Sequence, residues 1–274
     1  LAFALIGVQP ERRHPVASWI GGLTLRNGVP IGYTQADIVG PTAALSYNTF
    51  GTYRGAEAAH TFARWLAALH HVFGTTSFSI EPYQLGGKDN GEGLASGAFW
   101  FYAKLGFAPR DADALALLAR ERSRLAREAK HRSTPATLRR LAASHLHFDL
   151  DCAWGLPRLA ELGWQAGQRA VAPRPNRHGA TARHLAGDAI VRDVQRRCGV
   201  SASRLNVAQQ DAWRALAPTL ALAPWPAWTR AQRHAVAAIV AAKAAASEAG
   251  FIRLVAQHAP LMRWLVGEPT DARR

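Results

Sequence analysis

The sequence predicts an α/β domain followed by a helical region. Three observations carry that reading. Most of the glycine and the strand-like apolar segments lie before residue 110, while alanine, arginine and leucine dominate after it. The charge divides with them: of 33 Lys/Arg and 19 Asp/Glu, residues 1–110 hold 8 and 6, and residues 111–274 hold the rest. Finally, an Asn-Gly pair between two apolar runs marks a hairpin, and a helical stripe follows it before the next strand-like run.

The elements follow in order. Trp19 to Leu25 and Val29 to Tyr33 flank Arg26-Asn27-Gly28, where Asn and Gly both tolerate positive φ, so two antiparallel strands are expected. A third strand is expected over Thr42 to Phe50, ending in the turn-like Gly51 to Gly55. From Ala56 to Phe73, Ala58, Ala59, Phe62, Trp65, Leu66, Leu69 and Phe73 recur at steps of three and four, the stripe of an amphipathic helix closed by Gly74. Thr75 to Ile80 alternates as a strand, Pro82 to Glu92 reads as a loop, Leu94 to Leu105 as a helix, and a last strand ends at Pro109. Beyond residue 110, helices are expected near 112–131, 134–148, 181–197, 206–217, 229–249 and 251–266, with a Pro/Arg/Gly loop at 171–180.

Composition excludes several classes. With 49% hydrophobic and 19% charged residues, the chain is neither disordered nor collagen-like. Its longest apolar runs are broken by charge, so no membrane span is expected. Cys152 and Cys198 are too few for a disulfide framework and fit a reducing, cytoplasmic setting. Leu1 in place of methionine suggests a fragment or a trimmed start, and no secretion signal is visible. Arginine outnumbers lysine 29 to 4, a bias that weakens the net charge of +14 as a sign of nucleic-acid binding.

Two stretches carry chemistry. Arg54-Gly55-Ala56-Glu57-Ala58-Ala59 sits at a strand-to-helix turn, and Ala98 to Phe107 holds Tyr102, Lys104, Gly106 and Phe107 at the end of the α/β part. With the order of elements, these residues resemble the GNAT superfamily of acyl-CoA N-acyltransferases over residues 20–110. The resemblance implies a mixed central sheet with flanking helices, a GNAT-like domain at 1–110 that lacks its N-terminal elements, and a basic helical region at 111–274. It also implies acetyl-CoA or another acyl-CoA as donor and a small-molecule or protein amine as acceptor. In that family the turn presents backbone N–H groups to pyrophosphate, which maps onto Arg54, Gly55, Ala56, Ala58 and Ala59; the strand ending at Phe50 aligns the pantetheine arm; and Tyr102 is the general acid toward the departing thiolate. Glu57 stands where the family has a second glycine. A phenol of ordinary pKa near 10 stays protonated at neutral pH and can donate to a thiolate.

Other candidates are less specific. Asn90 could take over a cofactor-facing role from the asparagine that the family has where this chain has Ala95, or it could only make turns. Glu81, at the end of a strand, is a candidate base, as is Glu57; an exposed glutamate is the ordinary alternative for both. His145, His147, Asp149 and Asp151 would share one face of a strand and could bind metal, but no closed ligand spacing is present, so a helix end is the preferred reading and no metal site is expected. Gly86-Gly87-Lys88-Asp89 lacks the Ser/Thr of a phosphate loop, and Leu94-Ala95-Ser96-Gly97 is not a nucleophile elbow. The arginines from Arg120 to Arg132 read as a solvated helix face, with a nucleic-acid or acidic-partner module as the alternative. Trp213, Trp225, Trp228 and Trp264 are expected to pack the helical region. A catalytically silent binding or scaffold protein is the other alternative, with Glu57 as its sign.

Overall fold

The computed structural model describes residues 1–53, 55, 57–171 and 182–268. It shows an α/β architecture in which one seven-stranded mixed sheet is followed by a set of C-terminal helices. Strand β1 (Ala2–Ile6), short and apolar, pairs antiparallel with β2 (Ser18–Arg26); β2, β3 (Val29–Val39) and β4 (Thr42–Thr49) continue the meander. Asn27 and Gly28 both adopt left-handed φ, 51° and 81°, in the two-residue turn between β2 and β3. This is the hairpin that the Asn-Gly pair predicts, although β3 runs six residues beyond the expected Tyr33.

Helix α1 (Ala58–Phe73) ends on Gly74, whose φ of 76° suits only glycine easily, and delivers the chain to β5 (Ser77–Ile80), parallel to β4. Phe62, Trp65, Leu69 and Phe73, the stripe read from the sequence, are all buried. Trp65 lies flat on the sheet because Gly22 has no side chain: a Cβ there would come within 2.1 Å of the indole. The indole Nε1 then donates to Thr24 Oγ1 at 2.7 Å.

The helix expected over 94–105 is broken at Gly97 (φ 70°) into α2 (Gly91–Ala95) and α3 (Ala98–Lys104). The short β6 (Ala108–Pro109), α4 (Ala112–Arg127) and α5 (Pro135–Leu141) come next, and then β7 (Leu146–Asp149). The helix expected over 134–148 is therefore corrected. It stops at Leu141, and Leu146 to Asp149 form a strand inserted between β5 and β6, giving the order β1-β2-β3-β4-β5-β7-β6. Alternation decides it: Leu146 and Phe148 oppose Ile80 and Phe78 on the core face, while His147 and Asp149 oppose Ser79 and Ser77 on the other. The sheet thus does not close at residue 110.

Among the described residues six more helices follow: α6 (Leu159–Val171), which the sequence did not lead us to expect, α7 (Ala182–Arg197), α8 (Val207–Leu220), α9 (Arg230–Lys243), α10 (Ala249–Gln257) and α11 (Ala259–Val266). The single helix expected over 251–266 is two, because the His258 ring caps α11 by accepting from Leu261 N at 3.0 Å. The expected loop over 171–180 lies outside the described residues save for Val171. Capping boxes Asn206/Gln209 and Thr229/Gln232 start α8 and α9. Trp213, Trp225, Trp228 and Trp264 are all buried, and Trp225 and Trp228 meet edge-on at 5.0 Å. No helix among the described residues is long and apolar enough to cross a membrane.

A buried ionic cluster ties the N-terminal segment to the helical region. Lys243 Nζ donates to Glu248 Oε1 at 2.5 Å and to Ala17 O at 2.9 Å; Glu248 also accepts from Ser18 Oγ, and Arg13 lies 3.6 Å from it while donating to the carbonyls of Lys243, Ala245 and Ala246. Burial pulls the Lys243 ammonium below the ordinary lysine range, opposed by Glu248. Glu248→Ala leaves two buried cations without their carboxylate and is expected to cost about 3–5 kcal/mol in urea unfolding.

His147 supplies a pH test. Burial first, and Arg110 second, push its pKa down from 6.5 to about 4. The unfolded chain therefore binds more protons between those values, so His147 leaves stability intact above about pH 6.5 and removes it progressively as pH falls toward 4. His147→Asn is expected to shrink the loss of thermal stability between pH 6.5 and pH 5.

Candidate active site

Strand β4 outlasts its parallel neighbour. The β4–β5 register runs from Thr42 opposite Ser77 to Leu45 opposite Ile80, and β5 ends there. Glu81 then adopts an extended conformation as the N-cap of a 3-10 turn over Pro82–Leu85, which carries the chain away. Past Leu45, β4 continues through Ser46, Tyr47 and Asn48 with strand pairing to β3 alone. A cleft opens beside it with a volume of about 550 Å³, at the carboxyl ends of the two parallel strands, where open α/β sheets commonly place their ligands.

The cleft walls include Tyr33 of β3, Tyr47 and Asn48 of β4, Gly55 and Ala58 at the start of α1, Tyr83 and Gln84 after β5, Asn90 and Ser96 at the two ends of α2, and Phe101 and Tyr102 of α3. Tyr102 is 3% exposed and packs edge-on against Phe62 and Phe101 at 5.4 and 5.1 Å. Burial, with a smaller contribution from Tyr47, raises its pKa well above the usual phenol value. The hydroxyl is thus fully protonated at neutral pH. Tyr47 stacks on Phe101 at 6.1 Å with planes 8° apart; its hydroxyl donates to Ala58 O at 3.4 Å and accepts from Thr49 Oγ1 at 3.0 Å. Its pKa is also raised by burial, partly offset by the Thr49 bond.

The start of α1 is satisfied in part within the turn, where Ala58 N donates to Gly55 O at 3.1 Å. Its N-cap residue, Glu57, makes no side-chain hydrogen bond to the backbone, in contrast to Asp111 of α4, Thr134 of α5, Asn206 of α8 and Thr229 of α9. Donors at the first turn of a helix, together with the positive end of its dipole, favour an anion.

The structure gathers part of the predicted set. Gly55, Ala58, Asn90 and Tyr102 all line the cleft. Asn90 serves as a turn former: its Oδ1 accepts from Gly93 N at 3.0 Å and its Nδ2 donates to Tyr83 O at 2.8 Å, capping α2. Phe50 sits outside the lining, 38% exposed, 6.1 Å from the Tyr33 ring. Ala59 is on α1 but not in the wall, and Arg54 and Ala56 lie outside the described residues. Glu81 is exposed and outside the lining; its charge raises the pKa of Asp37, after burial, and opposes the burial that lowers His145. The cleft residues that the sequence did not single out for the site include Tyr33, Tyr47, Gln84, Ser96 and Phe101. Tyr47 had a usable signal, since a tyrosine near the end of a strand that leads into a glycine turn stands at the mouth of any site built there.

The other constellation on the sheet is tied up internally. Asp149 takes a hydrogen bond from Ser77 Oγ and a two-pronged contact from Arg110 Nη2 at 2.9 Å to each oxygen. No group of three or more His, Cys, Asp or Glu among the described residues could hold a metal ion. On α4, Glu121 is buried and accepts from Ser133 Oγ and His131 Nε2, while Arg122 donates to Ala103 O, so this helix spends part of its charge on structure.

No family model matches the chain, and no curated protein or solved structure matches it either.

Asn90→Ala tests the capping role: it is expected to lower stability by about 0.5–2 kcal/mol in chemical unfolding. The near-ultraviolet signal of the aromatic wall should stay unchanged in the folded variant.

Proposed function

We propose that the chain is an acyl-CoA-dependent N-acyltransferase, with an amine as acceptor and direct attack on the thioester. The observation that carries the reading is the cleft itself, where an unaccompanied stretch of β4, the uncapped start of α1 and a buried neutral tyrosine face one space. Each supplies a part that such a ligand needs. The free main chain of Ser46 to Asn48 can pair with the amides of an extended pantetheine arm, as an added strand would. The turn at Gly55 and the first residues of α1 can hold the pyrophosphate, and a volume of about 550 Å³ is of the size ligand clefts have.

The thioester supplies an activated acyl carbon. A neutral amine forms a bond to that carbon, the carbon–sulfur bond breaks, and the sulfur leaves with the electron pair and needs a proton. Tyr102 is the candidate donor in the wall, and its burial keeps the phenol protonated throughout the working pH range. Phe62, Phe101 and Phe107 fix its ring, so little reorganisation is required at the moment of transfer. Glu81 remains the candidate for taking up the proton of the amine through water, from the end of β5.

One observation favours the silent reading: Glu57 puts a carboxylate at the turn that would receive the pyrophosphate. Titration of CoA and acetyl-CoA into the chain by calorimetry separates the two, with micromolar binding expected for the enzyme. Tyr102→Phe is then expected to lower turnover about 100-fold or more while leaving CoA binding within about threefold. Unchanged turnover in that variant would remove the general-acid role.

A further inference from the structure

Glu57 does not stand alone at the α1 turn. Its Oε2 accepts from Nη1 of Arg26, the last residue of β2, at 2.9 Å. The two side chains line a second cavity of about 290 Å³, which shares Tyr47, Thr49, Gly55 and Ala58 with the cleft, so the ion pair adjoins the place where the proposed ligand would set its phosphates. An anion approaching Gly55 would meet a carboxylate one residue into the turn if Glu57 were unpaired. Paired, the two side chains sum to zero charge, and the carboxylate is drawn toward the end of β2. Both partners are exposed, at 54% and 70%, and such a pair is loosely held and adds little to stability. Its consequence is therefore to be sought in what the turn can bind.

We propose that Arg26 is a positioning residue for the phosphate end of the ligand: by pairing with Glu57 it cancels that charge beside the α1 turn, so that the turn accepts an anion in spite of Glu57. The inference rests on the acyl-CoA reading above and adds to it a residue from a strand remote in sequence from the turn. It also explains how a glutamate can occupy the turn without closing the site.

The experiment is calorimetric titration of CoA into the wild-type chain and into Arg26→Met, Arg26→Lys, Glu57→Gly and the Arg26→Met/Glu57→Gly double variant, each checked for folding by circular dichroism. Arg26→Met is expected to weaken binding about tenfold. Arg26→Lys, which keeps the charge, and the double variant, which removes the charge to be cancelled, are both expected to return to within about threefold of wild type. A purely structural part for Arg26 would not be rescued by deleting Glu57. Arg26→Met binding CoA as well as wild type overturns the inference and leaves the acyl-CoA reading standing; so does a double variant as weak as Arg26→Met. Absence of CoA binding in both the wild type and Glu57→Gly overturns the reading itself, and this inference with it.

Discussion

Pro82 sets the shape of the functional region. A proline has no N–H to give to a sheet ladder and fixes its own φ, so it weakens pairing where it stands; Pro30 and Pro109 are tolerated in β3 and β6, whereas Pro82 opens a 3-10 turn. β5 accordingly ends at Ile80, Glu81 becomes a cap, and the chain leaves in a 3-10 turn. Because α1 has already fixed β4 and β5 as parallel neighbours, the loss of β5 uncovers β4 at its carboxyl end and nowhere else. The same end receives the start of α1, since a helix leaving β4 through a short turn must begin there. The cleft, the helix terminus beside it and the unaccompanied strand are thus three results of one short strand beside a longer one.

Much of this was legible in the sequence, and what was not has identifiable causes. The hairpin at Asn27 and Gly28 and the α1 stripe follow from turn chemistry and local periodicity, whereas the grouping of Gly55, Ala58, Asn90 and Tyr102 was implied only by the GNAT resemblance. β7 was legible only as the less favoured alternative: Ser144 to Cys152 alternate polar and apolar next to a good helix, and what makes Leu146 to Asp149 a strand is the place open to them between β5 and β6. Tertiary context overrode propensity there. Asn90 shows a different failure: its type suits both a ligand contact and a cap, and only the positions of Gly93 N and Tyr83 O decide. Glu57 could be read as a departure, but its partner could not, since Arg26 reaches it through a sheet register invisible to spacing.

The helical region is fastened to the sheet by charge as well as by apolar packing. Arg13, Lys243 and Glu248 are buried together, and two cations share one carboxylate, with backbone carbonyls taking the remaining donors. Met262 and Val255 meanwhile close on Gly40, at the bend between β3 and β4, where a Cβ would come within 2.6 Å of the methionine sulfur. These contacts fall at the opposite end of β4 from the cleft. The helices therefore brace the end of the sheet where β4 and β5 are still paired.

The placement of Tyr102 in the cleft wall bears on its chemistry. A phenol whose pKa is raised by burial is a weaker acid in the ground state, and would be a poor donor if the acceptor were water. In the proposed reaction, a thiolate leaving against the Tyr102 wall would lose part of its own solvent, and that loss would likewise raise the proton affinity of the sulfur. The two effects oppose each other, and the transfer would be governed by their difference. Desolvation of the tyrosine thus need not disable the acid, provided the sulfur departs beside Phe101 and Tyr47. The burial of Tyr102 and the place where the sulfur departs are in this sense a single requirement, met by α3 lying against the uncovered end of β4.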